Sequence, residues 1–185
     1  MPLWSNKDLY VYHGTDSRSV GATSATSGSI LTFKVNLSLC RPFTDFGQGF
    51  YVTTNLHQAK QWANTRTRAV NLSLPVSASA SVATILQFRL SRDWLAGLEG
   101  LTFVLDAADF WALVDDCRSG FPPHQRTGTK TAYEVVYGPV TLWPQKLIIK
   151  DCDQISFHTP NVVNSLPDPV LYEKANDSDP KRTLF

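Results

Sequence analysis

The sequence predicts an α+β fold in a single domain, and three observations support this class. Segments rich in β-branched and aromatic residues lie towards both ends of the chain, and two segments of helical periodicity lie between them. The length of 185 residues suits one domain. Because 43% of the residues are hydrophobic and many are aromatic, the chain can bury a core, and disorder over its whole length is not expected.

The first third of the chain is expected to be mainly strand and loop. Residues 9–13 predict a strand, and the Ser/Thr/Gly-rich stretch 16–29 predicts a loop. Alternating apolar and polar residues predict another strand over 30–39. Residues 45–54 place two glycines before an aromatic and β-branched run, which predicts a tight loop that feeds a strand.

A first helix is predicted to begin after Asn55 and to end near Arg68. Asn55 is a helix-capping residue type, and Gln58 follows three residues later in a near capping-box arrangement. The residues that share the apolar face, and that we expect in the core, are Leu56, Ala59, Trp62 and Ala63.

A strand and a second helix are predicted in the middle of the chain. Residues 84–90 predict the strand. Asp106 is expected to cap a helix that runs to about Arg118 and ends at Gly120. The apolar face of this helix consists of Phe110, Leu113, Val114 and Cys117.

The last third is predicted to contain three short strands and a tail. Residues 119–131, with His124, predict a polar loop, and 133–137 predict a strand that Gly138-Pro139 stops. Residues 146–150 and 154–157 predict a closing pair of strands. Beyond these the chain is polar and proline-rich. We therefore expect a domain over 1–165 and a flexible tail over 166–185.

Charge and cysteine usage narrow the function classes. The formal net charge is +1 without a block of like charges, so a strong pull towards nucleic acid or anionic lipid is not indicated. Cys40, Cys117 and Cys152 are widely spaced and no histidine clusters with them, so we expect free thiols and no metal site. Neither a signal peptide nor a membrane-spanning segment is visible. We expect an intracellular protein, with secretion as an effector left open.

Three segments resemble the ADP-ribosyltransferase superfamily, above all its small branch known as a domain of unknown function in bacteria and fungi. The first is Tyr12-His13-Gly14-Thr15, and the second and most specific is 45–54, Asp-Phe-Gly-Gln-Gly-Phe-Tyr-Val-Thr-Thr. The third combines 133–140 with 154–159. The resemblance covers roughly 9–160. It implies split, twisted β-sheets with flanking helices, an NAD cleft between the sheets, and NAD as substrate.

The resemblance also assigns residues to the site, and the chemistry of NAD cleavage suits them. His13 offers a ring nitrogen to the adenosine ribose, Gly14 permits close approach of the nicotinamide amide, and Tyr51 offers its ring face to nicotinamide. Arg41 suits the pyrophosphate, although a solvated loop arginine is the alternative. The expected NAD-binding residues are His13, Gly14, Thr15, Arg41, Gly49, Phe50 and Tyr51.

The third catalytic position has two candidates beside His13 and Tyr51. Gln154 precedes Ile-Ser-Phe, as in the branch that the chain resembles, and we favour it. Glu134 lies within Tyr-Glu-Val-Val-Tyr, which resembles the pattern of poly(ADP-ribose) polymerases. Glutamine can bond ribose hydroxyls but cannot ionise. Asp45 is expected to fix its loop through an Asx turn, and His158 to be a strand-end residue rather than a ligand.

Three functions compete at this stage. The first is an enzyme that cleaves the nicotinamide–ribose bond of NAD by ADP-ribosyl transfer or hydrolysis. The second is a non-catalytic module that binds NAD or ADP-ribose, which the glutamine at the third position favours. The third is a phosphotransferase-like member of the superfamily, which the lack of a basic cluster disfavours. The sequence does not identify the acceptor, whether protein, nucleic acid, small molecule or water.

Overall fold

The chain has an α+β fold with two β-sheets. A computed structural model describes residues 7–121, 133–175 and 183–185. The elements in chain order are β1 (Leu9–Asp16), a 3₁₀ turn (Leu37–Leu39), β2 (Phe50–Val52), α1 (Leu56–Ser73), β3 (Ala83–Leu90), α2 (Arg92–Ala96), β4 (Gly100–Thr102), α3 (Ala108–Ser119), β5 (Val135–Leu142), β6 (Leu147–Phe157), α4 (Pro160–Asn164) and β7 (Val170–Lys174). None of the helices within the described ranges has the length and apolarity to cross a membrane.

The elements divide into two compact units that alternate along the chain. The first unit includes Lys34–Tyr51 and Ser91–Leu166, and it is built on the four-stranded sheet β2-β6-β5-β4. The second unit comprises Asp8–Phe33, Val52–Leu90 and Pro167–Phe185, and it is built on the antiparallel sheet β1-β3-β7. The expectation of one domain over 1–165 therefore corresponds to two interleaved units.

Helix α1 packs closely on strand β1 in the second unit. Asn55 caps the helix by accepting from the backbone N–H of Gln58, as predicted. Ala59 and Ala63 are buried, and a Cβ added at Gly14 would lie 2.0 Å from the carbonyl oxygen of Ala59. Glycine at this position thus lets the helix approach the strand. The predicted core position of Trp62 is wrong, because its side chain is 55% exposed.

An aromatic core fills the first unit. Its buried members are Phe46, Phe103, Phe110, Val114 and Val136. A Cβ at Gly138 would lie 2.9 Å from Phe46 and 3.4 Å from atoms of Phe103 and Phe110, so these rings occupy the space that a side chain would need. The burial of three residues on the predicted apolar face of α3 confirms that prediction, while Leu113 is partly buried.

Two element predictions in the first half of the chain and at α3 are wrong for local reasons. Residues 30–39 do not form a strand: Ile30 makes an isolated bridge, and Asn36 caps the 3₁₀ turn by accepting from Ser38. Asp106 does not cap α3, because the capping position falls on Ala107, which makes no side-chain cap bond. Asp109 in the first turn instead accepts from the N–H of Phe110.

The last strands also differ from the prediction. Gly138-Pro139 does not stop β5, which continues to Leu142 with a register shift between Pro139 and Thr141. Proline is found in sheets mainly at bulges and edges, and this one lies directly beside the register shift. The expected pair over 146–150 and 154–157 is one strand, β6, antiparallel to β5. The predicted loop around His124 lies mostly outside the described residues.

The C-terminal region contains ordered structure where a tail is expected. Val170–Lys174 forms β7 against β3, and Leu171 is fully buried. Leu184 and Phe185 pack against the buried cluster beneath α1. Residues 176–182 lie outside the described residues. Composition alone misplaces this boundary because a few apolar residues at the right spacing are enough to complete a sheet.

Candidate active site

The glycine-rich loop of the first unit is closed by the hydroxyl group of Tyr51. This hydroxyl donates to the carbonyl oxygen of Gly47 at 2.8 Å and accepts from the N–H of Phe46 at 3.0 Å. The hydroxyl of Thr44 lies 2.7 Å from that of Tyr51 and within hydrogen-bonding reach of the same carbonyl oxygen of Gly47. Gly47 has a φ of 76°, which favours glycine. Three contacts of the Tyr51 hydroxyl, with Thr44, Phe46 and Gly47, thus fix the loop to the phenol that follows it.

The phenol of Tyr51 stays protonated near neutral pH. Burial raises the pKa of its phenol far above the ordinary value of 10.0, and the bonds from Thr44 and Phe46 only partly oppose this shift. Its ring stacks at 6.5 Å from the ring of Phe46 and is 6.3 Å from the ring of His158, which it meets edge-on. The ring is therefore held in one orientation, and the hydroxyl is used to hold it.

His158 ties the same loop to the end of β6. Its Nδ1 lies 3.0 Å from the carbonyl oxygen of Gln48, and its Nε2 lies 2.7 Å from the hydroxyl of Ser156. Because a carbonyl only accepts, Nδ1 carries the proton. A Cβ at Gly49 would lie 2.7 Å from the imidazole, so glycine there lets the ring approach. His158 follows β6 directly, as the expected strand-end residue does.

Asp45 is a buried carboxylate that gathers donors from three distant elements. Arg118 donates to Oδ1 through Nε at 2.9 Å and through a terminal nitrogen at 2.6 Å. Thr141 donates its hydroxyl to Oδ1 at 2.6 Å and its N–H to Oδ2 at 3.0 Å. Gln154 donates to Oδ2 at 2.8 Å. These bonds, rather than the expected Asx turn, connect the loop to α3, β5 and β6.

Gln154 is placed beside the loop by this network. Its side chain is buried, and its amide nitrogen also donates to the carbonyl oxygen of Pro139 at 2.9 Å. Both N–H groups of the amide are thereby used, and its carbonyl oxygen is the atom left to accept a further bond within the described part of the chain. The structure therefore brings Gln154 to the Tyr51 loop through Asp45.

Glu134 has a different set of contacts. It lies just before β5, and its carboxylate accepts from the N–H of Glu99 at 2.9 Å. The backbone N–H of Glu134 donates to the carbonyl oxygen of Glu99, also at 2.9 Å. Its backbone carbonyl accepts from the N–H of His158 at 3.0 Å. The side chain thus holds the segment before β4, while its backbone neighbours the end of β6.

The remaining NAD-binding candidates are divided between the two units. His13, Gly14 and Thr15 are on β1 of the second unit, opposite Leu86, Ile85 and Thr84. The missing side chain at Gly14 accommodates α1. Thr15 is buried, and His13 is partly buried. In the first unit, Phe50 is buried on β2 and Arg41 is exposed after the 3₁₀ turn.

Three residues that matter to this site are missed by sequence reasoning. Thr44 contacts Tyr51, while Arg118 and Thr141 hold Asp45. Arg118 stands 73 positions from Asp45, and Thr141 stands 96 positions away. No spacing rule covers such distances. Only Thr44 has a local signal, since a hydroxyl residue directly precedes the Asp-Phe-Gly segment.

The thiols of the three cysteines are poorly reactive. Burial raises the pKa of Cys117 to about 12 and also raises the pKa of Cys40 and Cys152, so these thiols stay protonated near neutral pH. Within residues 7–121, 133–175 and 183–185, no group of three or more His, Cys, Asp or Glu side chains is arranged to hold a metal ion.

Comparison with known proteins gives one family match. Neither a curated protein nor a solved structure matches this chain. A family described as "Protein of unknown function (DUF3990)" matches residues 26–142, which is more than half of the chain. The matched span contains the glycine-rich loop, Tyr51 and Glu134, but neither His13 nor Gln154. The chain belongs to the DUF3990 family.

Proposed function

We propose that this protein consumes NAD by cleaving its nicotinamide–ribose bond, through ADP-ribosyl transfer or hydrolysis. The observation that carries the proposal is the Tyr51 loop. Tyr51 follows a glycine-rich turn, and its hydroxyl is bonded to Phe46 and Gly47. Such a ring is suited to stacking on a flat heterocycle, and the surrounding segment resembles that of ADP-ribosyltransferases. The proposal includes an ADP-ribosyltransferase-like fold with an NAD cleft.

Cleavage of the nicotinamide–ribose bond depends on stabilisation of the positive charge that develops on the ribose more than on a general base. The bond between C1′ of the ribose and the nicotinamide nitrogen breaks with its electron pair moving to nicotinamide, which leaves an oxocarbenium-like ribose. Water or an acceptor nucleophile then bonds C1′ and releases a proton. Tyr51 orients the leaving ring, and Gln154 accepts from a hydroxyl of the nicotinamide ribose through its amide oxygen.

The contacts of the two third-position candidates favour Gln154 over Glu134. Gln154 bonds Asp45, which belongs to the loop that Tyr51 closes, whereas Glu134 bonds the N–H of Glu99. An amide cannot deprotonate an acceptor, so turnover that depends on Gln154 is slow with weak nucleophiles. His13 keeps the role that the resemblance implies, at the adenosine ribose, and Arg41 keeps the role at the pyrophosphate.

A non-catalytic NAD or ADP-ribose module is the second candidate, and one observation favours it. The buried acid of the Tyr51 loop, Asp45, already accepts bonds from Arg118, Thr141 and Gln154. A carboxylate saturated in this way holds structure and is not available to activate an acceptor. Binding without turnover needs only the ring, the loop and hydroxyl-binding groups.

Labelled NAD distinguishes these functions. The pure protein is incubated with NAD, alone and with cell lysate, while free nicotinamide, ADP-ribose and label on macromolecules are measured. Nicotinamide with equal ADP-ribose indicates hydrolysis, and label on a macromolecule indicates transfer. Binding in calorimetry without nicotinamide release supports the module. If the protein neither binds NAD nor releases nicotinamide, both proposals are refuted.

Two substitutions then assign the third position. We expect Gln154→Ala to lower nicotinamide release about 10²–10³-fold, the range for one bond directed at a transition state. Glu134→Ala is the matched control and should cost much less. If Glu134 were the working residue, this order would reverse.

A further inference from the structure

Helix α1 in the second unit holds a short segment of this chain beside its buried face, through Lys60 and Asn64. Leu184 and Phe185 pack against a cluster that includes the buried Ala59 and Ala63 of α1. The backbone carbonyl of Thr183 accepts from the N–H of Ala83 at 2.7 Å, which extends the pairing at the start of β3. Both side-chain and main-chain contacts therefore hold this segment.

Asn64 recognises the main chain of Phe185 rather than its side chain. Its amide nitrogen donates to the carbonyl oxygen of Phe185 at 3.2 Å, and its amide oxygen accepts from the N–H of Phe185 at 2.8 Å. This pair of bonds reproduces the pattern by which one backbone binds another. Asn64 can therefore hold a residue of any type in an extended peptide.

The ring of Phe185 supplies a preference for an aromatic residue. The ammonium group of Lys60 lies 4.8 Å from the centre of this ring, and Glu173 holds the same ammonium group at 2.7 Å. A cavity of about 340 Å³ adjoins the ring, and its lining includes His57 and Gln61. The ring of Phe185 thus contacts the Lys60 ammonium group, whose position is fixed by its ion pair with Glu173.

We propose that α1 carries a binding site for an extended peptide with an aromatic residue, and that residues 183–185 fill this site within the same chain. The partner class is a peptide of the Leu-aromatic type, held through Asn64 and Lys60. This inference is independent of the NAD proposal, because it uses only contacts of α1, β3 and β7 with the docked segment.

The test frees the site and refills it from solution. In the full chain, Leu184→Ala with Phe185→Ala removes the docked side chains, and a capped Thr-Leu-Phe peptide is then added. We expect the variant to melt lower than the wild type and the peptide to restore several degrees of Tm, since a ligand that binds only the folded state stabilises it. Calorimetry should show at least tenfold weaker binding of the peptide to the wild type, where the site is filled.

Control variants and peptides distinguish specific recognition of the peptide from non-specific binding. Asn64→Ala in the same background should abolish the rescue, and a Thr-Leu-Ala peptide should rescue little. Gln61→Ala, which changes the cavity wall but no bond to the segment, should leave the rescue intact. If the double variant does not fold, Phe185→Ala alone takes its place. Failure of the peptide to bind a folded variant, or equal binding with and without Asn64, would overturn the proposal.

Discussion

Two buried aspartates, one in each unit, organise their surroundings in opposite ways. Asp16, at the end of β1, bonds its own turn: it accepts from the N–H groups of Arg18 and Ser19, each at 3.1 Å, and from the hydroxyl of Ser19. Ser81 is its main remote donor, at 2.7 Å. All but one of these bonds stay within three residues of the carboxylate.

Asp45 instead takes every bond described above from residues far along the chain. Arg118, Thr141 and Gln154 all converge on it. Asp16 therefore stabilises a local turn, whereas Asp45 stabilises the tertiary arrangement of its unit. Asp45 shows that an aspartate beside a glycine-rich segment can be a long-range hub, that is, a side chain that bonds residues far apart in the sequence. Asp16, at the end of a strand, makes instead the kind of local turn that the sequence predicts for Asp45.

The largest loss of stability should follow the removal of the Asp45 carboxylate. We expect Asp45→Ala to lower the free energy of unfolding by about 3–5 kcal/mol, because it leaves the partly buried Arg118 guanidinium without its counter-charge. Urea unfolding measures the change. Asp115→Ala is the matched control in the same unit: this exposed aspartate pairs with Lys146, and its loss should cost less than about 1 kcal/mol. Equal costs at the two positions would mean that Asp45 is no hub.

A pair of glycines compares the packing of the two units. Gly14→Ala places a methyl group against the backbone of α1, which cannot move aside cheaply, so we expect a loss of about 1–3 kcal/mol. Gly49→Ala meets the imidazole of His158, a side chain that can rotate, although the carbonyl oxygen of Phe157 lies 3.0 Å away. Its cost should be smaller, with the change confined to the loop. Melting curves of both variants test the order, and a reversed order would contradict it.

The stability effect expected at Asp16 is moderate and depends on pH. Burial raises the pKa of Asp16, but bonds from Ser19 and Ser81 and the charge of Arg66 outweigh burial and lower it below 3.8. Its carboxylate thus contributes stability that is present above pH 3.8 and is lost as the pH falls through the lowered value. We expect Asp16→Asn to cost about 1–2 kcal/mol at neutral pH. The difference in the free energy of unfolding between wild type and variant, measured by urea unfolding, should shrink as the pH is lowered into the acid range. A difference that stays constant with pH would contradict this expectation.

Local signals predict much of the fold. The strand over 9–13, the loop that feeds β2, the Asn55 cap, the strand over 84–90 and the end of α3 at Gly120 are confirmed. Each depends on a few neighbouring residues. The strand predicted over 30–39 fails because the side chain of Asn36 captures a backbone N–H, and the burial of Trp62 fails because small residues, Ala59 and Ala63, form the contact face.

The candidate site is less predictable than the fold because its contacts join residues that are far apart in the sequence. Sequence motifs select Tyr51 and Gln154, but nothing local shows that Asp45 joins them or that Arg118 balances its charge. Pairings of this kind depend on which strands become neighbours. The resemblance of the sequence favours Gln154 over Glu134, but it does not show their surroundings. In the structure Gln154 bonds Asp45 of the glycine-rich loop, whereas the carboxylate of Glu134 bonds the N–H of Glu99.

We propose that the ring of Tyr51, held by its own hydroxyl, orients nicotinamide for cleavage. The most direct measurement is the rate of nicotinamide release at saturating NAD, per folded molecule, for wild type, Tyr51→Phe and Tyr51→Ala. We predict that Phe keeps most of the rate at a lower Tm, since the bonds to Thr44, Phe46 and Gly47 are lost. Ala should lose about 10–100-fold, the range for one stacked ring. Equal losses in both variants would contradict stacking and assign the role to the hydroxyl.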